Sequence, residues 1–472
     1  MQEETLDRAL RQNSEQAKQL AEQAKRIIEL EAVVVELKER LDENSSNSSK
    51  PPSSDSPSTR EKNRAKRKRR AATRKRGGQP GHKGSCRQLL PHEEVDETKS
   101  FFPPRCENCW CALAEIPCEA PKRYQVTEFT QGHTTITEYQ RHWVLCPCGH
   151  KTWADYTDEI PRSAFGPRLS SVVAMLTGVY HLSRRETQRL LDELLGVEMS
   201  LGVISSIEKR VSAALKPVYE QAQELADAAA IKHTDGTGWR QAGTALQLWT
   251  VATSRVSVFS IVKNGTAATV RSLFGRIKGI LVSDRASAFN FWRMKRRQIC
   301  WSHLLRKFIS FSERDGPGGR MGTELVEATG ILFETYKLFV DGNISRRIFR
   351  QRMAPLRTQI EATLQRAQDA NIKRMSGSCK NMLKHKEALW TFVDRSDVEP
   401  TNNHAERELR AFVLWRKKSF GTQSDSGNRF AERLMTVTHS LRKQQRPILP
   451  FLVAAMRGLC SSQPAPLLQL PA

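Results

Sequence analysis

From Ile231 onward the apolar residues stop recurring at three and four positions and begin to alternate or cluster, and this change of period constrains the fold most. Upstream, PRLSSVVAMLTGVY and SRRETQRLLDELLGVEMSLGVISSIEKRVSAAL carry helical spacing. Downstream, IKHTDGTGWR, ALQLWTVAT and VSVFSIVKN are short and rich in β-branched and aromatic residues, which predicts three antiparallel strands. TAATVRSLFGRI returns to helical spacing and leads into KGILVSDR, a buried strand ending on Asp284. QICW is a further short strand, followed by the helix SHLLRKFI.

Three antiparallel strands, a crossover helix and two more strands describe a ribonuclease H-like α/β core inside a mainly α, multidomain chain. That order puts Asp235 on the first strand and Asp284 at the C-terminal end of the fourth, as neighbours. Two carboxylates side by side repel, a divalent cation removes that cost, and a hard oxygen site suits Mg²⁺ or Mn²⁺. A third acid is expected from a later helix, and NNHAERELR offers Glu406, with Asn403 and Arg410 on the same face. Glu408 is the local rival, but helical geometry turns it roughly 200° away from Glu406. Two ions about 4 Å apart, bridged by such a trio, activate an attacking oxygen and stabilise a leaving oxygen at a phosphodiester. Arg407 or Arg410 would meet the charge that develops there. Each acid taken alone also suits a cap or a surface position.

The 472 residues carry a formal charge of +24, and half of it lies between Arg60 and Arg87, a stretch with one acid, Glu61. Such a segment buries too little apolar surface to offset chain entropy, and it is expected to be disordered until an anion relieves its self-repulsion. Double-stranded DNA is the partner this implies, with Lys66, Arg67, Lys68, Arg69, Arg70, Arg74, Lys75 and Arg76 as phosphate contacts. The preceding NSSNSSKPPSSDSPS reads as a polar linker of the same kind. No run approaches the ~18 apolar residues of a membrane span, so no membrane partner is expected. MQEETLDRAL lacks a secretory pattern, which points to a cytoplasmic, nucleoid-associated protein.

Three further patterns precede the core. A heptad with Leu6, Asn13, Leu20, Ile27, Val34 and Leu41 at position a and Leu30 and Leu37 at d predicts a short coiled coil, hence a homodimer or higher oligomer; a single docked helix is the alternative. Cys106 and Cys109, with Cys146 and Cys148, have the spacing of a tetrahedral structural Zn²⁺ site, in which Cys111, Cys118 or His150 can replace one ligand. A hairpin within KRYQVTEFTQGHTTITEYQRHWV would bring the pairs together, while Cys300, Cys379 and Cys460 read as core residues. Ser183 and Ser200 as N-caps and Gly196 as the turn give a helix-turn-helix layout over 161–228, equally suited to DNA contact or plain packing.

On NSSNSSKPPSSD after a leucine-rich helix, RGGQPGHKG, the paired cysteines, HTDGTGWR, ILVSDRASAFN, RQICWSHLLRKF, NNHAERELR and WRKKSFGTQSDSGNRFAERLMT, the chain resembles transposases of the IS66 family, in their single-gene ISBst12-like branch. The resemblance implies a metal-dependent DDE transposase whose three acids match Asp235, Asp284 and Glu406, spaced 49 and 122 residues apart. Cys300-x-x-His303 is similar to a Cys/His signature after the second acid in several DDE families. That likeness implies that His303 orients the scissile phosphate, with a cap or core role equally open, and Arg306 joins it as a DNA contact. Where the family pattern has Asp-Glu-Thr, this chain has Asp235-Gly236-Thr237; the missing carboxylate is not the metal ligand.

The expected organisation is a coiled coil (1–42), a linker (43–90), a zinc module (91–160), a helical domain (161–228) and the core (229–311). A helical insertion (312–399), the third-acid helix (400–425) and a C-terminal helical segment (426–472) follow. The competing function is a noncatalytic DNA-binding or repressor protein derived from such an enzyme.

Overall fold

The computed structural model describes residues 2–48, 55–61, 65, 91, 93, 112, 134–137, 143–145, 151–153, 163–461 and 464–468. The zinc-module cysteines Cys106, Cys109, Cys146 and Cys148, with Cys111, Cys118 and His150, lie outside them. So do the basic residues Lys66, Arg67, Lys68, Arg69, Arg70, Arg74, Lys75 and Arg76. The hairpin expected within KRYQVTEFTQGHTTITEYQRHWV lies almost wholly outside the described residues, and the described hairpin is a later one. It pairs β1 (Trp143–Leu145) with β2 (Lys151–Trp153), so in chain order the strands flank the second cysteine pair.

Helix α1 (Gln2–Asp42) covers the predicted heptads, and Ile27, Leu30, Val34, Leu37 and Leu41 are exposed along it. Part of the segment read as a disordered linker is folded. The amide of Ser45 and its hydroxyl donate to the two carboxylate oxygens of Asp55 (2.7 and 2.6 Å), and Asn47 Nδ2 donates to the Asp42 carbonyl and to Glu313 Oε2 (2.7 Å). Short polar side chains that bond nearby backbone supply this structure without an apolar core, which hydropathy does not register.

The helical domain comprises α2 (Pro167–Ala174), α3 (Arg184–Leu195), α4 (Leu201–Ala214) and α5 (Lys216–Ala228). Ser183 caps α3 in a capping box with Glu186, Gly196 ends it at φ 61°, and Ser200 caps α4, as the sequence indicates. Ile204, Ile207 and Val211 of α4 lie in the main core, while Ser206 and Lys209 on its other face are exposed.

The sheet contains β3 (Ile231–Gln241), β4 (Thr244–Ala252), β5 (Ser257–Val262), β6 (Ile280–Ser283) and β7 (Arg297–Ile299) in the order β5-β4-β3-β6-β7. Strands β3, β4 and β5 are antiparallel; β6 and β7 run parallel to β3 after a crossover through α6 (Ala267–Ser272). Two boundaries move: β6 stops one residue before Asp284, and Trp301 opens α7 (Trp301–Ser312) instead of ending a strand.

Two hydrophobic cores meet along this sheet. One joins α2–α5 and strands β3–β5 to α11 (Asn403–Ser419), α12 (Asp425–Lys443) and α13 (Ile448–Ser461). The other joins Ile280, Val282 and Ile299 to α7 and the helices of the expected insertion, α8 (Gly316–Val340), α9 (Arg346–Asp369) and α10 (Met375–Lys384). Leu281 belongs to the first core and its neighbours to the second, the alternation of a strand buried on both faces.

Side chains cover both sheet edges. The outward amides of Ser257, Phe259 and Ile261 on β5 donate to Ser440 Oγ (3.1 Å), Thr436 Oγ1 (3.0 Å) and Glu432 Oε1 (2.5 Å), residues spaced one helical turn apart on α12. An open edge is a template for foreign strands, and this ladder closes it. Helix α12 is thus integral to the sheet domain and not an appended C-terminal segment. At β7, Gln298 Nε2 donates to the Leu389 carbonyl (3.1 Å) and Gln298 Oε1 accepts from Phe392 N (2.8 Å).

Candidate active site

The register of the parallel pair sets the first two acids. Ile231, Lys232 and His233 on β3 lie opposite Ile280, Leu281 and Val282 on β6, and two more residues along each chain reach Asp235 and Asp284. In-register residues of parallel strands share a face, so both carboxyls point to the same side. Burial raises the Asp235 carboxyl to about 7, helped by the charge of Asp284 and then of Glu406, while the Gly236 amide (2.9 Å) and Arg306 oppose the rise. At Asp284 the side chain accepts the Ala286 amide (3.0 Å), which forms the turn leaving the strand.

Glu406 enters from the first turn of α11. Its Oε1 lies 3.7 Å from both His303 Nδ1 and Arg306 Nη2 on α7, and neither Glu406 Oε1 nor His303 Nδ1 has a hydrogen-bond partner. Burial, then Arg306, lowers the pKa of His303, so this histidine is neutral near pH 7 and gives Glu406 a dipole, not a charge. Arg306 is therefore the cation facing the trio from the solvent side. Arg297, fully buried, sits behind Asp284 and donates to its carbonyl (3.2 Å); burial lowers its pKa to about 10. Arg407 and Arg410 are exposed on α11.

The structure thus brings Asp235, Asp284, Glu406, His303 and Arg306 together. Cys300, His303 and Glu406 also place their ligand atoms within 4.8 Å of one another. Donor chemistry suits a divalent cation: Asp284 and Glu406 both act on the buried Asp235 carboxyl and push it toward the protonated state, and one Glu406 oxygen makes no hydrogen bond, although the ligand atoms that come within 4.8 Å of one another are those of Cys300, His303 and Glu406.

Glu408, two residues from Glu406, lies in different surroundings. It accepts from His439 Nδ1 (2.6 Å) and faces Lys443 Nζ (3.5 Å), which also donates to His404 Nε2 (2.8 Å) and the Thr253 carbonyl (2.7 Å). Burial alone would raise its pKa, but the His439 hydrogen bond and the Lys443 charge win and hold it at about 2. At Gly236, a Cβ would lie 2.9 Å from the indole of Trp249, its cross-strand partner. The aromatic ring occupies the space that a side chain at 236 needs.

Sequence reasoning missed Asn402; Cys300, read as a core residue, is fully buried as expected, and it also accepts the Asn402 amide. Asn402 is fully buried and donates from Nδ2 to the Thr234 carbonyl (2.7 Å) and from its amide to Cys300 Sγ (3.1 Å). Its position at the start of a helix bearing a candidate acid was the available signal.

A mixed five-stranded sheet between two helical layers, with two acids at neighbouring strand ends and a third on an adjoining helix, defines the class: a mainly helical α/β protein with a candidate divalent-cation site. The chain belongs to the IS66 transposase family, whose model matches residues 162–429. Residues 2–88 match a family of unknown function (DUF6444). No curated protein matches the chain. Family membership makes it a transposase and DNA its partner. Among the described residues no helix is long and apolar enough to cross a membrane.

Proposed function

We propose that the protein is a DDE-type transposase with a ribonuclease H-like core, in which Asp235, Asp284 and Glu406 are the acid trio. It would bind double-stranded DNA at the ends of a mobile element, cut phosphodiester bonds and join the freed 3′-hydroxyl to target DNA. The observation that carries this reading is the Asp235 carboxyl, raised to about 7 by burial and by Asp284 in register beside it. A raised carboxyl alone does not mark a functional site, since Glu432 is raised as far while it caps the β5 edge; what sets Asp235 apart is that its neighbours are two more acids.

Mg²⁺ or Mn²⁺ held by the three carboxylates, as a pair of ions in this reaction class, supplies positive charge at the phosphate and acidifies the attacking water or hydroxyl. Asp235 would have to be ionised to hold such an ion, so its raised pKa would make binding weaker at low pH. Arg306 sits where it can neutralise the non-bridging phosphate oxygens, and His303, uncharged, offers a hydrogen bond to the same group. The exposed Arg407 and Arg410 extend the phosphate contacts along α11, and the basic residues 66–76 add affinity that is nonspecific and salt-sensitive. The exposed apolar stripe of α1 suits a parallel coiled-coil partner and so a dimer. Cys106, Cys109, Cys146 and Cys148 would hold a structural Zn²⁺.

The experiment is cleavage and strand transfer on duplexes carrying the sequences that flank the gene, with and without Mg²⁺. Cleavage with joined product supports a transposase; cleavage alone indicates a nuclease, and binding alone a repressor.

A further inference from the structure

The active-site reading leaves one buried polar residue without a role. Asn402 is the N-cap of α11, a position where Asn normally turns its side chain onto the amides of its own helix. Ser183, Ser200 and Ser345 do this in the same chain. Asn402 does not: its backbone sits at φ −97°, ψ 22°, and no side-chain cap forms. The amide group reaches across to the Thr234 carbonyl at 2.7 Å, on the residue before Asp235. Nδ2 is assigned to that carbonyl because the flipped amide would set two acceptors against each other. The other end of the amide faces His233 on the same strand, so the side chain is held against β3 at both ends.

The main chain of Asn402 makes two further links. Its N–H donates to Cys300 Sγ at 3.1 Å, and its carbonyl accepts the Glu406 amide at 3.2 Å. Cys300 is itself the N-cap of α7, the helix that carries His303 and Arg306, and it too makes no side-chain cap. One residue therefore ties together the strand bearing Asp235, the start of the helix bearing His303 and Arg306, and the first turn of the helix bearing Glu406. The flanking backbone repeats the tie, since Trp301 N donates to the Pro400 carbonyl at 2.9 Å.

We propose that Asn402, with Cys300 as its acceptor, is a positioning residue that sets the reach of Glu406 to Asp235 and Asp284, and with it the affinity of the acid trio for a divalent cation. The proposal rests on the reading of those acids given above. Hydrogen bonds that orient metal ligands change affinity about 10–100-fold when removed.

The test uses the full-length protein. Mn²⁺ binding is followed by loss of the free-ion electron paramagnetic resonance signal, alongside the thermal midpoint and DNA binding. Asn402→Ala is expected to weaken Mn²⁺ binding by about 10–100-fold while DNA is still bound, with lost cleavage partly recovered at high Mn²⁺. An unchanged Mn²⁺ affinity in a folded Asn402→Ala protein overturns the proposal. If that variant does not fold, the Cys300 pair decides: Cys300→Ser keeps an acceptor for the Asn402 amide and Cys300→Ala does not. Serine should stay near wild type and alanine should bind Mn²⁺ more weakly; equal affinities for the two reject the clasp. Glu406→Gln separates the two levels. If it keeps its Mn²⁺ affinity and cleavage, the acid assignment fails. Should it lose both while Asn402→Ala loses neither, only the clasp fails.

Discussion

Glu406 and Glu408 stand two residues apart on α11 and lie in opposite electrostatic surroundings. Glu408 has a hydrogen-bonded histidine and a buried lysine, and its pKa falls to about 2. Glu406 shares its space with two other carboxylates, its Oε1 is unpartnered, and its nearest cation, Arg306, stops at 3.7 Å. The first arrangement is complete without a ligand and the second is not. A carboxylate that folding has hydrogen-bonded is there for the fold, and one that only faces a cation at 3.7 Å, with an oxygen free of hydrogen bonds beside other acids, is available for chemistry.

The largest effect that tests this contrast is on activity. Asp235→Asn, Asp284→Asn and Glu406→Gln should each lower strand transfer by about 10³-fold or more, equivalent to roughly 4 kcal/mol of lost transition-state stabilisation. The same proteins should fold at least as well as wild type, since each loses a repelling charge. Glu408→Ala should do the reverse. Breaking a buried ion pair from one side costs about 3–5 kcal/mol, here by stranding Lys443 and His439, so its thermal midpoint should drop. A Glu408→Ala protein of normal stability, or a Glu406→Gln protein of normal activity, would erase the distinction.

Much of this contrast was open to sequence reasoning, and the boundary is physical. Local patterns carried the caps at Ser183 and Ser200, the Gly196 turn, the five strands and the helices of 312–399, because capping and periodicity act within a few residues. Strand order made Asp235 and Asp284 neighbours, while the expectation of Glu406 came from a later helix and from the family resemblance. What stayed hidden depends on contacts far apart in sequence. Glu408 meets residues of α12, Asn402 meets a strand 168 residues away, and the Glu432, Thr436 and Ser440 ladder on α12 gains its meaning only once β5 lies beside it. The turn at residues 44–48 and its tie to Asp55 escaped for a different reason, since they come from polar side chains on backbone groups and hydropathy is blind to them.

A smaller effect sharpens the same comparison through pH. Asp235 has a folded pKa near 7, above its ordinary 3.8, so between those values the native state holds more protons than the unfolded one. Its contribution to stability is present below about pH 4 and is lost as pH rises toward 7. Glu432, also raised to about 7, acts in the same direction, while His233 and His404, lowered by burial to about 3 and about 4, act in the opposite one. The useful quantity is therefore a difference between two proteins. Without divalent metal, Asp235→Asn should gain stability relative to wild type by up to about 4 kcal/mol as pH rises from 4 to 7, read from denaturant midpoints, and Mn²⁺ should abolish the gain. A flat difference would mean that Asp235 is already compensated, as Glu408 is.

The smallest effect concerns Gly236, beside Asp235. Because a Cβ there would lie 2.9 Å from the Trp249 indole, Gly236→Ala should cost about 1–2 kcal/mol through displacement of that ring. Gly236→Glu introduces the same crowding and adds a carboxylate next to a trio that is short of cations. Subtracting the alanine result removes the steric part and leaves the electrostatic one. If the trio is as uncompensated as its geometry indicates, that remainder should be destabilising without metal, should shrink at low pH as carboxyls protonate, and should fall when Mn²⁺ is added. A remainder that ignores both pH and metal would show that Arg306 and Arg297 already balance the three acids, and the difference between Glu406 and Glu408 would then be one of degree.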